Sequence, residues 1–201
     1  MEHRLSRAAQ SQAEAGAGAV TGLMTHVETA ADKRGVRDHN VWTPAEVVCW
    51  ARACLGRIDL DPASCAEANE TVRAERYYTA ETDGLQQGWH GRVWLNPPFN
   101  GGLLRLFARR LISEVEFGAV TAAVMLGPVV GGSTWPDEMA RAADWIAPLR
   151  QHIPWGGVGG GSSAMGHQLW GFRCEPAPLD TGMVTAVFHR ISAERTLFGV
   201  R

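Results

Sequence analysis

Val93-Trp94-Leu95-Asn96-Pro97-Pro98-Phe99 is the stretch whose reading decides the fold. Its three apolar residues, β-branched and aromatic among them, predict a buried strand. Asn96 ends that strand, because the two prolines cannot donate to a ladder and cannot continue into a helix. After Gly101-Gly102, Leu103, Leu106, Phe107 and Leu111 recur at helical spacing, which predicts a helix from Leu103 to about Ser113. Arg105, Arg109 and Arg110 project away from that stripe. A buried strand feeding a helix points to an α/β sheet, where ligands collect at the carboxyl ends of strands.

Working upstream, Val41-Trp42-Thr43-Pro44 opens the folded part. Thr43, Pro44 and Glu46 read as N-cap, N1 and N3 of a capping box, ahead of the apolar face Val47, Val48, Ala51, Cys54 and Leu55. Arg57-Ile58-Asp59-Leu60-Asp61 predicts a short strand ending on an acid and Pro62-Ala63-Ser64. The polar stretch from Cys65 to Gly88 reads as partly helical, with Tyr77 and Tyr78 as anchors. Downstream, Gly118–Leu126 predicts a central strand, Pro136–Ile146 a helix, and Gln168–Phe172 and Met183–His189 two further strands. The whole predicts helices on both faces of one sheet.

Residues 1–39 are rich in Ala, Gly, Gln and Ser and contain no Phe, Trp or Tyr. Such a segment buries little, so a mobile tail is expected there, with the compact domain over 40–201. The 201 residues carry 19 Lys+Arg against 21 Asp+Glu, a net charge of −2, which excludes a basic nucleic-acid coat. Contact with phosphate must therefore come from a local patch. Cys49, Cys54, Cys65 and Cys174 form neither a C-x-x-C pair nor a cluster with His, so reduced thiols are expected and no metal site is implied. No secretory signal and no membrane span are expected. His152, His167 and His189 are isolated and read as surface or core residues. The arginines, with Arg141 and Arg150, read as a solvated helix face, and Gly156, Gly157 and Gly159–Gly161 as a flexible loop. Trp42 and Trp155 are candidates to line a pocket.

The tetrapeptide Asn96–Phe99 has a chemical logic. The Asn96 amide oxygen and the Pro97 carbonyl are two acceptors on a stiff backbone, and Phe99 presents a flat face for a planar ring. This set suits a conjugated exocyclic amine, whose two N–H groups it can hold. Such an amine is a poor nucleophile, because its lone pair is delocalised into the ring. Drawing it toward tetrahedral geometry frees the pair for attack on a methyl group placed in line. No charged base is needed, since the proton becomes acidic only after transfer.

A series of motifs then carries a resemblance: W-T-P at 42–44, L-D-P-A-S at 60–64, Asn69, Y-Y-T at 77–79, D-G-L at 83–85, Trp89 and W-L-N-P-P-F at 94–99. In this order they resemble the phage-type DNA adenine N6-methyltransferases, over about residues 42–190. The resemblance implies a trimmed class I methyltransferase (Rossmann-like) sheet and S-adenosylmethionine as cofactor. It also implies DNA as substrate, with the target adenine flipped out of the duplex. By the same resemblance Asn96 and Pro97 bind the amine and Phe99 stacks on the base. Thr43 and Pro44 meet the cofactor's carboxylate, Asp61, Pro62 and Ala63 form a cofactor loop, and Asp83 lies near the cofactor's adenine. A phage or prophage origin and action in the bacterial cytoplasm are implied as well.

The residues themselves leave other readings open. A capping box explains Thr43-Pro44, and Asp83-Gly84 is also a plain turn signal. N-P-P-F occurs in enzymes that methylate RNA or protein amides. The glycine-rich turn common after the first strand of this superfamily is replaced by Asp61–Cys65, which keeps an inactive DNA-binding relative in view. About twenty residues between Asp61 and Asp83 leave little room for a full strand–helix–strand repeat.

Overall fold

The computed structural model describes residues 42–99, 102–131, 134–156, 161–162, 164–178 and 184, and the backbone of 189–190. The expected tail at 1–39 and most of the predicted strand Met183–His189 lie outside these residues.

Alternation along the central strands sorts the side chains into two cores. In β3 (Gly91–Leu95), Val93 and Leu95 face one way and Trp94 the other. In β4 (Val120–Pro128), Ala123 and Met125 join the first core, while Val124 and Leu126 join the second. The side of Trp94 is covered by α1 (Ala45–Leu55) through Val47, Val48, Trp50 and Ala51. The opposite side is covered by α3 (Leu103–Phe117), through Leu104, Phe107 and Leu111, and by α4 (Trp135–Ala142), through Trp135 and Met139. Helices therefore cover both faces, as a sheet buried on both sides requires.

The remaining elements are β1 (Leu60–Asp61), α2 (Ala66–Val72), β2 (Arg76–Tyr77), a 3-10 turn (Gly84–Gln86), β5 (Trp145–Pro148), β6 (His167–Phe172) and β7 (His189–Arg190). The strands lie in the order β2-β1-β3-β4-β6-β5-β7. Strands β2, β1, β3 and β4 are parallel, β6 runs antiparallel to both β4 and β5, and β7 antiparallel to β5. From β1 the chain moves outward to β2, then returns to place β3 on the other side of β1 and continues to β4. The order thus reverses between β1 and β3, and the carboxyl ends of these two strands carry Asp61 and Asn96.

Several local readings need correcting. The strand–helix–strand repeat after Asp61 does fit: β1–α2–β2 is complete, with two-residue strands and a seven-residue helix. Asn69 makes this compression work, accepting from the Ala74 N–H (2.8 Å) and donating to the Ala74 carbonyl (3.3 Å). Helix α3 runs past Ser113 to Phe117, where Gly118 at φ 88° closes it. The predicted helix Pro136–Ile146 stops at Ala142, and Trp145–Pro148 forms β5 instead, paired to β6. Finally, Thr43 does not cap α1. The cap position is Pro44, with no side-chain cap hydrogen bond.

Among the described residues no helix is long and apolar enough to cross a membrane. Among the same residues no group of three His, Cys, Asp or Glu side chains is placed to hold a metal.

Candidate active site

The site is built at the reversal of the sheet, from the segments that leave β1 and β3. Asn96 follows β3 directly, is half-buried, and donates from Nδ2 to the Thr43 hydroxyl oxygen at 2.9 Å. This long-range bond is why Thr43, only 7% exposed, does not turn back onto its own helix. The amide oxygen Oδ1 is buried and, among the described residues, has no hydrogen-bond partner. An unsatisfied buried acceptor costs about 1–3 kcal/mol, a cost that a ligand donor would relieve.

Phe99 lies among aromatic neighbours. Its ring is 5.9 Å from Trp155, edge to face, and 5.5 Å from His167, tilted by 32°. Trp155 meets His167 edge to face at 5.3 Å. His167 is 2% exposed, and burial holds its pKa below the ordinary histidine range, against a hydrogen bond to the Met165 backbone. The loop carrying Trp155 is fixed to the start of α1 by paired backbone bonds between Trp42 and Gly156, at 3.0 and 3.1 Å.

The second half of the site follows β1. Asp61 is 2% exposed, and its Oδ1 accepts from the Ala63 N–H at 3.1 Å. Burial pushes its carboxyl up to about 7, against the opposing hydrogen bonds from Ala63 N–H and the Ser64 side chain. Pro62 is buried and Ala63 half-buried. Against this turn lies Gly84: a Cβ there would stand 1.9 Å from the Pro62 carbonyl oxygen, so only glycine fits. Asp83 is therefore brought beside the Asp61–Ala63 turn. Its side chain is exposed and accepts from the Leu85 N–H at 3.1 Å, with its backbone at φ 49°.

Other motif residues hold the frame. Trp89 donates to the Gly84 carbonyl at 2.7 Å, stacks on Phe107 at 6.0 Å and lies under the Arg110 guanidinium at 5.9 Å. Arg110 also reaches the carbonyls of Leu85 and Gln87, and Arg109 grips Glu138 through two 2.7 Å bonds. Arg109 is exposed, as the solvated-face reading expects, whereas Arg110 is half-buried and departs from it. Cys54 and Cys174 are pushed up to about 12 by burial and are thiols, not nucleophiles.

The structure thus brings Thr43 to Asn96, Phe99 to Trp155, and Asp83 to the Asp61 turn. The sequence reads His167 as an isolated surface or core residue, not as part of the site. The available signal was its position directly before the predicted strand Gln168–Phe172: β6 is antiparallel, so its first residue lies at the same sheet edge as Asn96.

A model of the DNA N-6-adenine-methyltransferase (Dam) family matches residues 31–158. The chain belongs to the Dam family. The match spans Thr43, Asp61, Asp83, Asn96, Phe99 and Trp155, and stops before His167. The DNA N-6-adenine-methyltransferase of Escherichia phage T1 is 33% identical over 125 residues, which are 59% of this chain and 49% of that relative. This Dam-family chain therefore spans about half the length of the curated relative it matches. Its aromatic cluster draws on residues both inside and beyond the family match.

Proposed function

We propose that this protein transfers the methyl group of S-adenosylmethionine to N6 of adenine in DNA, on a base turned out of the duplex. Membership of the Dam family supports the substrate class. The parallel order β2-β1-β3-β4, reversing between β1 and β3, supports a trimmed class I methyltransferase sheet, and we assign the methyltransferase domain to residues 40–201. The observation that carries the reading is the buried, unpartnered Asn96 Oδ1 at that reversal, three residues from the ring of Phe99.

The residues fit the cofactor. Asp61 is a buried carboxyl with two hydrogen-bond donors beside it, raised toward neutrality by desolvation. A primary ammonium such as that of a methionine moiety would restore its charge and pair with it. In this reading Thr43-Pro44 borders the carboxylate, Pro62-Ala63 the cofactor backbone, and Asp83 the cofactor's adenine. S-adenosylmethionine supplies a methyl carbon on a positively charged sulfur, and the breaking C–S bond leaves its electron pair on sulfur.

The chain's own residues prepare the amine. Asn96 Oδ1 and the Pro97 carbonyl accept its two N–H groups, so the nitrogen lone pair leaves conjugation and points at the methyl carbon. As the N–C bond forms the nitrogen becomes cationic, and it then loses one proton to water. Phe99 stacks on the ring. Turning out the base costs a few kcal/mol, offset by stacking of about 1–3 kcal/mol per base. For a phage-type enzyme the setting is the cytoplasm of a bacterial host.

The test is transfer of tritiated methyl from S-adenosylmethionine to DNA, RNA and bulk protein, followed by nucleoside analysis. Label recovered as N6-methyladenine in DNA is the expected result. Label confined to RNA or protein, or no transfer at all, overturns the proposal.

A further inference from the structure

Phe99 follows two prolines that carry no backbone N–H, and it lies beyond the end of β3 at Leu95. No strand ladder sets the plane of its ring, which depends instead on the side chains around it. Among the described residues two rings meet it. His167 lies at 5.5 Å with a tilt of 32°, near the offset stacking that aromatic pairs favour, and Trp155 stands edge to face at 5.9 Å. Trp155 is also edge to face with His167, so two nearly parallel rings abut a third at their side.

The three rings are not held equally. Trp155 sits in a loop, as Phe99 does, whereas His167 is the first residue of β6. It stands opposite Pro128 of β4, and its carbonyl accepts from the Leu149 N–H at 2.9 Å. At 2% exposure it has almost no surface to offer a substrate, so whatever it does there it does through its neighbours. We propose that His167 is a positioning residue, a plate anchored in the sheet that sets the plane of the Phe99 ring on which the turned-out base stacks. This rests on the reading of Phe99 as the base-stacking ring. The family match ends at residue 158, so the plate lies outside the segment that the match covers.

An aliphatic side chain of similar size fills the same space without a flat face, and leaves Phe99 to be ordered only when the base arrives. His167→Leu should therefore raise the KM for a DNA duplex about fivefold, with kcat and S-adenosylmethionine affinity within about twofold of wild type. His167→Phe, which restores a flat ring, should recover most of that loss. In the Phe99→Ala background His167→Leu should add less than about twofold, because the ring it serves is gone.

An undiminished loss in the Phe99→Ala background, or equal losses from the Leu and Phe changes, would overturn the proposal. So would a loss confined to kcat or to cofactor affinity. A KM that falls in His167→Leu would overturn it too, by making the histidine a competitor for the place of the base. If His167→Leu does not fold, His167→Met is measured in its place, with the same outcomes. A KM raised by Phe99→Ala but untouched at His167 refutes this proposal alone. A KM untouched by Phe99→Ala, or a wild-type protein that does not methylate DNA, refutes the reading beneath it and this proposal with it.

Discussion

Asp61→Asn tests whether the buried carboxyl is kept for a ligand at the expense of the empty fold. Folding raises the Asp61 pKa from 3.8 to about 7, chiefly by burial. The sign follows from proton linkage. Below about pH 4 the group is protonated in both states and folding pays no penalty. As pH rises the unfolded chain ionises first, so stability falls progressively until the folded pKa near 7 is passed. The full difference is on the order of 4 kcal/mol, of which roughly 2–3 kcal/mol accrues between pH 5 and pH 8. At 2% exposure solvent does little to screen this.

Asparagine keeps an oxygen for the Ala63 N–H, while its unpaired NH2 costs about 1–3 kcal/mol at every pH. Urea or thermal denaturation should therefore show the variant gaining roughly 2–3 kcal/mol relative to wild type between pH 5 and pH 8. At pH 8 the melting temperature should rise by several degrees, since about 1 kcal/mol moves a chain of this size by about 2–4 °C. Affinity for S-adenosylmethionine should fall in the same variant. A stability difference that does not change with pH, or tight cofactor binding by the variant, would refute the reasoning.

Two further substitutions probe the frame and the proposed base pocket. Gly84→Ala puts a carbon 1.9 Å from the Pro62 carbonyl oxygen, so the two turns must part; cofactor affinity should fall at least tenfold, and calorimetry unchanged from wild type would count against the packing of these turns. Phe99→Ala removes the stacking face, worth about 1–3 kcal/mol, so the KM for DNA should rise about five- to a hundredfold while cofactor binding holds; an unchanged KM would remove Phe99 from the base pocket.

How much of this was legible depends on how local each signal is. The strand at Val93–Leu95, the stop at Asn96 and the start of α3 at Leu103 follow from hydrophobicity, proline and spacing, all confined to a few residues. Trp145–Pro148 is a four-residue apolar run that periodicity alone cannot assign, and only its ladder with β6 makes it a strand. The Thr43 capping box is a sound local signal overridden by a partner 53 residues away. His167 reads only as an isolated surface or core residue for the same reason: its neighbours Phe99 and Trp155 are distant in sequence and meet it only because β6 lies antiparallel beside β4. Conversely, Asn69 and Trp89 belong to the family-like motif series yet serve to compress a loop and anchor a turn.

The most direct test is Asn96→Ala, measured for cofactor binding and for methyl transfer in parallel. Removing the proposed acceptor of the amine should leave S-adenosylmethionine affinity within about twofold and lower kcat for adenine methylation in DNA by at least about a hundredfold. Turnover close to wild type in that variant would contradict the account.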